Sequence, residues 1–421
     1  MASPAIRIDD LARPHLPLPI QALNALGGPV CARLVRLDEA DLLESARRRA
    51  GLDDYGDPSF LEPFRVLLDA LEREAGLSAL GRLGTRQHLL QLLVQRLRLE
   101  DLIRRHPEIL EERIERPIII AGLPRTGTTH LFNLLSCDAR LRWLPYWESL
   151  EPFPDPREEP GRDGSDPRIE RCARSLRFLE RLMPLFPAMH EFSVEGPHEE
   201  IQLLALQFST QLFEASYRVP SYGEWYRRTD QTPAYAYLRR TLQALQWLRR
   251  GERWLLKTPQ HLENLGPLAT TFPDAKFVQT HRDPIRITAS LATMIAYGSR
   301  MQQRRPDPVE IGRRWATLAL NMLRASVRDR QLLPASQVMD LRFHEYMKDN
   351  FAAVERVFAF CEEPFDAATQ ARVRAFLDEN PKGKHGTIDY RLEDLGLDAR
   401  ELRERLRFYC ERFDVPFEGS D

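Results

Sequence analysis

The chain has 421 residues, 43% hydrophobic and 29% charged, which is enough to bury a large core. A net charge of −2 argues against a general nucleic-acid binder, so no nucleic acid is expected as a partner. Cys31, Cys137, Cys172, Cys361 and Cys410 lack C-x-x-C or zinc spacing and read as reduced packing thiols. The N-terminal MASPAIRIDDLARPHLPLP has no basic segment followed by an apolar core, and no stretch approaches the roughly 18 apolar residues of a membrane span. The chain therefore reads as cytoplasmic with no transmembrane segment, leaving room for peripheral membrane contact and for a homo-oligomer.

In chain order, Leu37 to Ile114 shows helical spacing of apolar residues in FLEPFRVLLDALEREAGL and RQHLLQLLVQRLRLEDLIRRHPEIL. No chemistry is visible there, and residues 1–115 are expected to form a helical arm that packs on the core or on a second subunit. At Arg116 to Ser136, RPIIIAGLPRTGTTHLFNLLS, a β-branched run enters a glycine-bearing turn and leaves as an amphipathic helix. The first N–H groups of a helix lack intrahelical acceptors and its dipole is positive there, so this turn predicts an anion site. Gly122 and Gly127 keep P-loop spacing, but Thr128 stands where a nucleoside triphosphatase carries lysine. Glu151 to Arg168, rich in Pro, Gly and Asp, predicts a mobile loop, either a linker or a cover for the substrate. After a helical region from His198 to Arg250, GERWLLKTP and DAKFVQTHRDP predict two more strands, each followed by a helix, and SQVMDLRFHEYMKDN another. The fold expected is α/β, a P-loop-like parallel sheet flanked by helices over residues 116–421, with ligands at the carboxyl ends of the strands.

Lysine is used only at Lys257, Lys276, Lys348, Lys382 and Lys384, which singles out sites where a compact ammonium is wanted in place of a planar fork. Arg125 is placed to neutralise an anionic group while the amides and hydroxyls of Thr126, Gly127, Thr128 and Thr129 bind its oxygens. The form P-R-T-G-T-T resembles the 5′-phosphosulfate loop of sulfotransferases that use 3′-phosphoadenosine 5′-phosphosulfate (PAPS). Arg282, ending a strand, and Ser290, eight residues later on a helix, resemble the family's 3′-phosphate motif. PKGKHG resembles its C-terminal basic loop, which implies nucleotide contacts from Lys382, Gly383 and Lys384. FHEYMKDN is similar to a further family segment and is given no chemistry. The resemblance runs from Arg116 to Phe413 and is closest to a broad bacterial group related to the tyrosylprotein enzymes.

Lys257 ends the strand WLLK, where one ammonium can stabilise charge on the oxygen bridging phosphate and sulfate. The resemblance implies transfer from PAPS to a hydroxyl acceptor, with adenosine 3′,5′-bisphosphate as product and without a metal. His130, His198, His261 and His281 lack ligand spacing. The base stays open. Pro259 replaces the histidine of the family's K-T-H sequence, leaving Glu148, which follows the first helix as the tyrosylprotein group's glutamate does, and His261, two residues beyond the lost histidine. The rival readings are a P-loop nucleotide kinase or ATPase and a non-catalytic nucleotide-binding module. The acceptor is open too; Phe186, Met189, Phe192, Phe208, Phe213, Tyr217, Tyr222, Trp225 and Tyr226 either line a pocket suited to a lipid or other amphiphile, or fill the core.

Overall fold

The run Ile118-Ile119-Ile120 forms β1 (Ile118–Ala121), and burial of all four of its residues marks it as a central strand. The other strands are β2 (Leu141–Arg142), β3 (Leu144–Pro145), β4 (Pro197–His198), β5 (Arg253–Lys257), β6 (Lys276–His281) and β7 (Val338–Arg342). Five of them make a parallel sheet in the order β2-β5-β1-β6-β7, and β3 pairs antiparallel with β4 beside it. The computed structural model describes residues 5–161, 164–190, 192–381 and 387–418. In the registers Ile120 with Lys257 and Ala121 with Gln279 the parallel strands β1, β5 and β6 end on one edge of the sheet, β6 running two residues beyond the partner of Ala121.

Alternate residues of each strand serve different cores. Ile118, Ile120, Leu255 and Val278 pack with Leu131 and Phe132 of the helix Thr128–Leu135 and with Val354 and Phe358 of the helix Asn350–Cys361. Ile119, Leu256 and Phe277 face the other way and join one core with Phe64, Leu67, Leu89 and Leu93. Those four residues belong to the arm, whose helices Glu39–Ala50, Leu61–Arg73 and Ala79–Arg105 follow the apolar spacing read from the sequence. The first and last of these are capped by Asp38 and Ser78 side chains on the amides of Asp41 and Gly81. Buried Arg96 donates to the carbonyls of Tyr55, Asp57 and Leu206 and to the Gln207 side chain, fastening the arm to the short helix Ala205–Gln207.

The described part of the loop expected to be mobile is instead tied down. Arg98 pairs with Asp155 at 2.6 Å, Arg171 with Glu151 at 2.8 Å, and Arg168 donates to the carbonyls of Glu151 and Pro152. Arginines on two helices recruit its acidic residues, an interaction that proline and glycine content does not reveal. Among the described residues no helix is long and apolar enough to cross a membrane, and the cysteines are free thiols.

Candidate functional site

The loop after β1 is held by close backbone approach. A Cβ on Gly122 would lie 2.1 Å from Thr280 Oγ1 and 2.8 Å from Thr126 Oγ1, so only glycine fits between β1 and β6. Thr126 Oγ1 donates to the Leu123 carbonyl (2.7 Å) and lies 2.6 Å from Thr280 Oγ1, which closes the turn. Gly127 has φ 87° at the entry to the helix Thr128–Leu135. Arg125 is itself left-handed at φ 74°, a conformation costing a non-glycine residue about 1–2 kcal/mol. That backbone turn carries its guanidinium across the site, where Nε donates to Ser290 Oγ at 2.9 Å and Nη1 donates to the Met189 carbonyl. Arg282, just past β6, donates from Nη1 to the Arg125 carbonyl at 3.0 Å. The structure thus brings Arg125, Arg282 and Ser290 together around the turn that carries Thr126, Gly127, Thr128 and Thr129. Lys382, Gly383 and Lys384 lie outside the described residues.

Lys257, 2% exposed, ends β5 on the same edge. Its Nζ donates to Thr129 Oγ1 at 3.3 Å, lies 5.8 Å above the Phe132 ring, and is paired with the Glu199 carboxylate. The lysine's backbone is held as well. Glu200 Oε2 accepts from the Lys257 amide at 2.8 Å, Glu200 Oε1 lies 2.5 Å from His261 Nε2, and His261 Nδ1 lies 2.9 Å from Tyr235 Oη. This chain of hydrogen bonds is wholly buried and fixes the strand end from behind.

The two residues considered as a base are both buried and bonded to neighbouring side chains. Both ring nitrogens of His261 are engaged in that chain, and none of its surface is exposed. Glu148, 3% exposed, is bound through Oε2 to Arg142 at 2.7 Å and Arg249 at 3.0 Å. Arg142 is buried over the Trp254 ring, and burial pushes its guanidinium down to about 10. Glu148 is therefore the counter-ion of a buried arginine.

Two features were missed in the sequence, and a third was read only in part, Phe186 and Phe192 having been named as pocket or core without Tyr146, His190 and His198. Glu199 and Glu200 follow β4, and the signal was the pair of consecutive acids in GPHEE, standing beyond an aromatic stretch. Phe343, assigned no chemistry, has its ring under the Arg282 guanidinium at 3.9 Å and beside Gly127, where a Cβ would lie 3.1 Å away. A half-buried ring cluster gathers Phe192, His190 and His198, from the segment between Arg125's partner Met189 and Lys257's partner Glu199, with Phe186 and Tyr146. In it Phe192 stacks on Phe186 (5.5 Å, 3°) and Tyr146 (4.9 Å, 23°), and meets His190 at 4.6 Å. His198 lies 4.4 Å from the Tyr146 ring. Burial, then the charges of Lys257 and Arg125, push His190 down to about 3; burial, His190 and Lys257 hold His198 well below the usual histidine range. Of the aromatic residues read as pocket or core, Phe208, Phe213, Tyr217, Tyr222 and Tyr226 are core.

This edge carries cations at two places, Arg125 with Arg282 beside the turn and Lys257 one strand away. A family model for sulfotransferases matches residues 117–367, which include the loop, Lys257, Arg282 and Ser290. The chain belongs to the sulfotransferase family. The fold of this sulfotransferase is similar to that of STF9 from Mycobacterium avium, with a TM-score of 0.82 and 28% identity across 91% of this chain and 99% of that one. It is likewise similar to STF1 from Mycobacterium tuberculosis H37Rv, with a TM-score of 0.77 and 30% identity across 87% of this chain and 98% of that one. No curated protein matches the sequence. Among the described residues no group of His, Cys, Asp or Glu is arranged to hold a metal ion.

Proposed function

We propose that this sulfotransferase moves a sulfuryl group from PAPS to a hydroxyl acceptor, releasing adenosine 3′,5′-bisphosphate. The observation that carries the reading is the convergence of Arg125, Arg282 and Ser290 on the glycine turn, one strand away from Lys257. The residues fit such a donor. The turn admits no Cβ at Gly122, the amides at the helix start have no helical acceptor, and Arg125 and Thr129 stand beside them. Arg282 and Ser290 are assigned to the 3′-phosphate, together with Lys382, Gly383 and Lys384.

Lys257 is assigned to the bridging oxygen, where its ammonium stabilises charge as the sulfur–oxygen bond breaks. The base role is given to Glu199, because His261 has both ring nitrogens engaged and Glu148 is bound through Oε2 to two arginines, whereas Glu199 is paired with Lys257 itself. Among the described residues Glu199 is bonded only through Oε1, to Lys257. Its carboxylate takes the acceptor's proton, the acceptor oxygen bonds to sulfur, and the bond from sulfur to the phosphate oxygen breaks with its electron pair moving to the phosphate. The half-buried rings of Tyr146, Phe186 and Phe192 border this position and suit an acceptor with an apolar body, such as a lipid or another amphiphile.

Incubation with sulfur-labelled PAPS and a panel of hydroxyl compounds tests the reading. Label appearing in an acceptor with equimolar adenosine 3′,5′-bisphosphate is expected. Consumption of ATP in place of PAPS would return the chain to the kinase or ATPase reading. Nucleotide binding without turnover on any acceptor would favour the non-catalytic module.

A further inference from the structure

We propose that Glu418 occupies the place of the 3′-phosphate on Arg282 in the nucleotide-free protein and must leave for the nucleotide to bind. This rests on the assignment of Arg282 to that phosphate. One edge of the Arg282 guanidinium is already used, since Nη1 donates to the Arg125 carbonyl, and its face is stacked on Phe343. The remaining edge, Nε and Nη2, donates to Glu418 Oε1 at 2.8 Å and Oε2 at 2.9 Å. That is the planar two-point pairing a guanidinium makes with carboxylate and phosphate alike.

The contact is built into the fold. The segment Val415–Glu418 follows the helix Ala399–Phe413 and returns to the end of β6. There the Glu418 amide donates to Asp283 Oδ2 at 2.7 Å. Asp283 is also the cap of the helix Pro284–Gly298, accepting from the Ile285 amide at 2.9 Å through Oδ1. The backbone of Glu418 is thus fastened next to Arg282 while its side chain closes over the fork, with the arginine 23% and the glutamate 30% exposed. The carboxylates of Asp283 and Glu418 lie close enough that, after burial, Glu418 contributes to holding the Asp283 carboxyl above its ordinary range.

A phosphate dianion and a carboxylate cannot both take the same two N–H groups, and their charges repel. Arg282 is therefore available only in the fraction of molecules whose Glu418 side chain has swung away, and the apparent affinity for a 3′-phosphate is reduced by that fraction. A nucleotide ending in a 3′-hydroxyl makes no claim on the fork and binds without displacing Glu418.

Calorimetric titration of the full chain and of Glu418→Ala and Glu418→Gln with adenosine 3′,5′-bisphosphate and with ADP tests this, with melting curves to confirm that the variants are folded. The expected result is that both variants bind the bisphosphate about tenfold more tightly while ADP changes less than about twofold. Unchanged or weaker bisphosphate binding overturns the gate, and so does equal tightening for both nucleotides, which would be a general charge effect. The parent protein's own preference separates the two levels of the argument. If it does not distinguish bisphosphate from ADP and neither variant changes that, the assignment of Arg282 falls and the gate with it.

Discussion

The two ends of the proposed site, one assigned to the nucleotide and one to the acceptor, are built differently by the chain. Arg125, Gly127, Thr128 and Thr129 follow β1 directly, and Arg282 and Ser290 follow β6, so their placement is set by strand ends and the turns beside them. At the other end Lys257 is also a strand-end residue, but its partner Glu199 comes from a segment 58 residues earlier, beyond a small antiparallel pair. Each end holds a cation with a carboxylate, Arg282 with Glu418 and Lys257 with Glu199. The end assigned to the nucleotide therefore follows from local chain order, and the end assigned to the acceptor depends on how distant segments pack.

The comparison is broken most forcefully at the acceptor end. Glu199→Gln is expected to slow transfer by about a hundred- to ten-thousand-fold with nucleotide affinity little changed, measured by turnover beside calorimetry. Glu148→Gln should act on stability instead, costing about 3 kcal/mol in denaturant unfolding, because it leaves Arg142 buried without its counter-ion. Should Glu148→Gln remove turnover from a fully folded protein, the base assignment moves back to Glu148. Lys257→Ala comes next, with kcat lower by about a hundred- to a thousand-fold.

At the nucleotide end Arg282→Ala should weaken adenosine 3′,5′-bisphosphate by about 1.5–3 kcal/mol and leave ADP nearly unaffected, the expected worth of a lost charge-assisted contact. A smaller effect sharpens the contrast in charge. His190 and His198 are held neutral in the fold, so between their folded values and the ordinary value near 6.5 the unfolded chain binds more protons than the folded one. The stability contribution is therefore full above about pH 6.5 and declines as pH falls below it. Allowing for partial exposure, unfolding at pH 5 should be easier than at pH 7 by about 1 kcal/mol for each histidine, and His190→Phe should remove its share. The smallest expected effect is that of EDTA, which should leave turnover with PAPS unchanged.

Much of the fold was legible, because β1, β5, β6 and β7 are short apolar runs followed by turns and helices, and because Gly122 and Gly127 are required by a close approach and a left-handed backbone. Arg125, Arg282 and Ser290 were legible for the same reason, as each sits within a few residues of a strand end or on the helix that follows one. The contacts of Glu148 and His261 were not. A glutamate after a helix reads alike whether it faces solvent or two arginines, and only the tertiary contacts of Arg142 and Arg249 distinguish the cases. Glu199 escaped for the complementary reason, since nothing local ties residues after β4 to the end of β5. The pinned loop near Asp155 follows the same rule, its order coming from Arg98 on a distant helix.

A nucleotide site selective for a 3′-phosphate at the carboxyl edge of the sheet can be read out by thermal unfolding in the presence of adenosine 3′,5′-bisphosphate or ADP at equal concentration. A hundredfold excess over the dissociation constant should stabilise the protein by about 2.7 kcal/mol. The account predicts a shift of that order with the bisphosphate and a much smaller one with ADP. Equal shifts with the two nucleotides would contradict it.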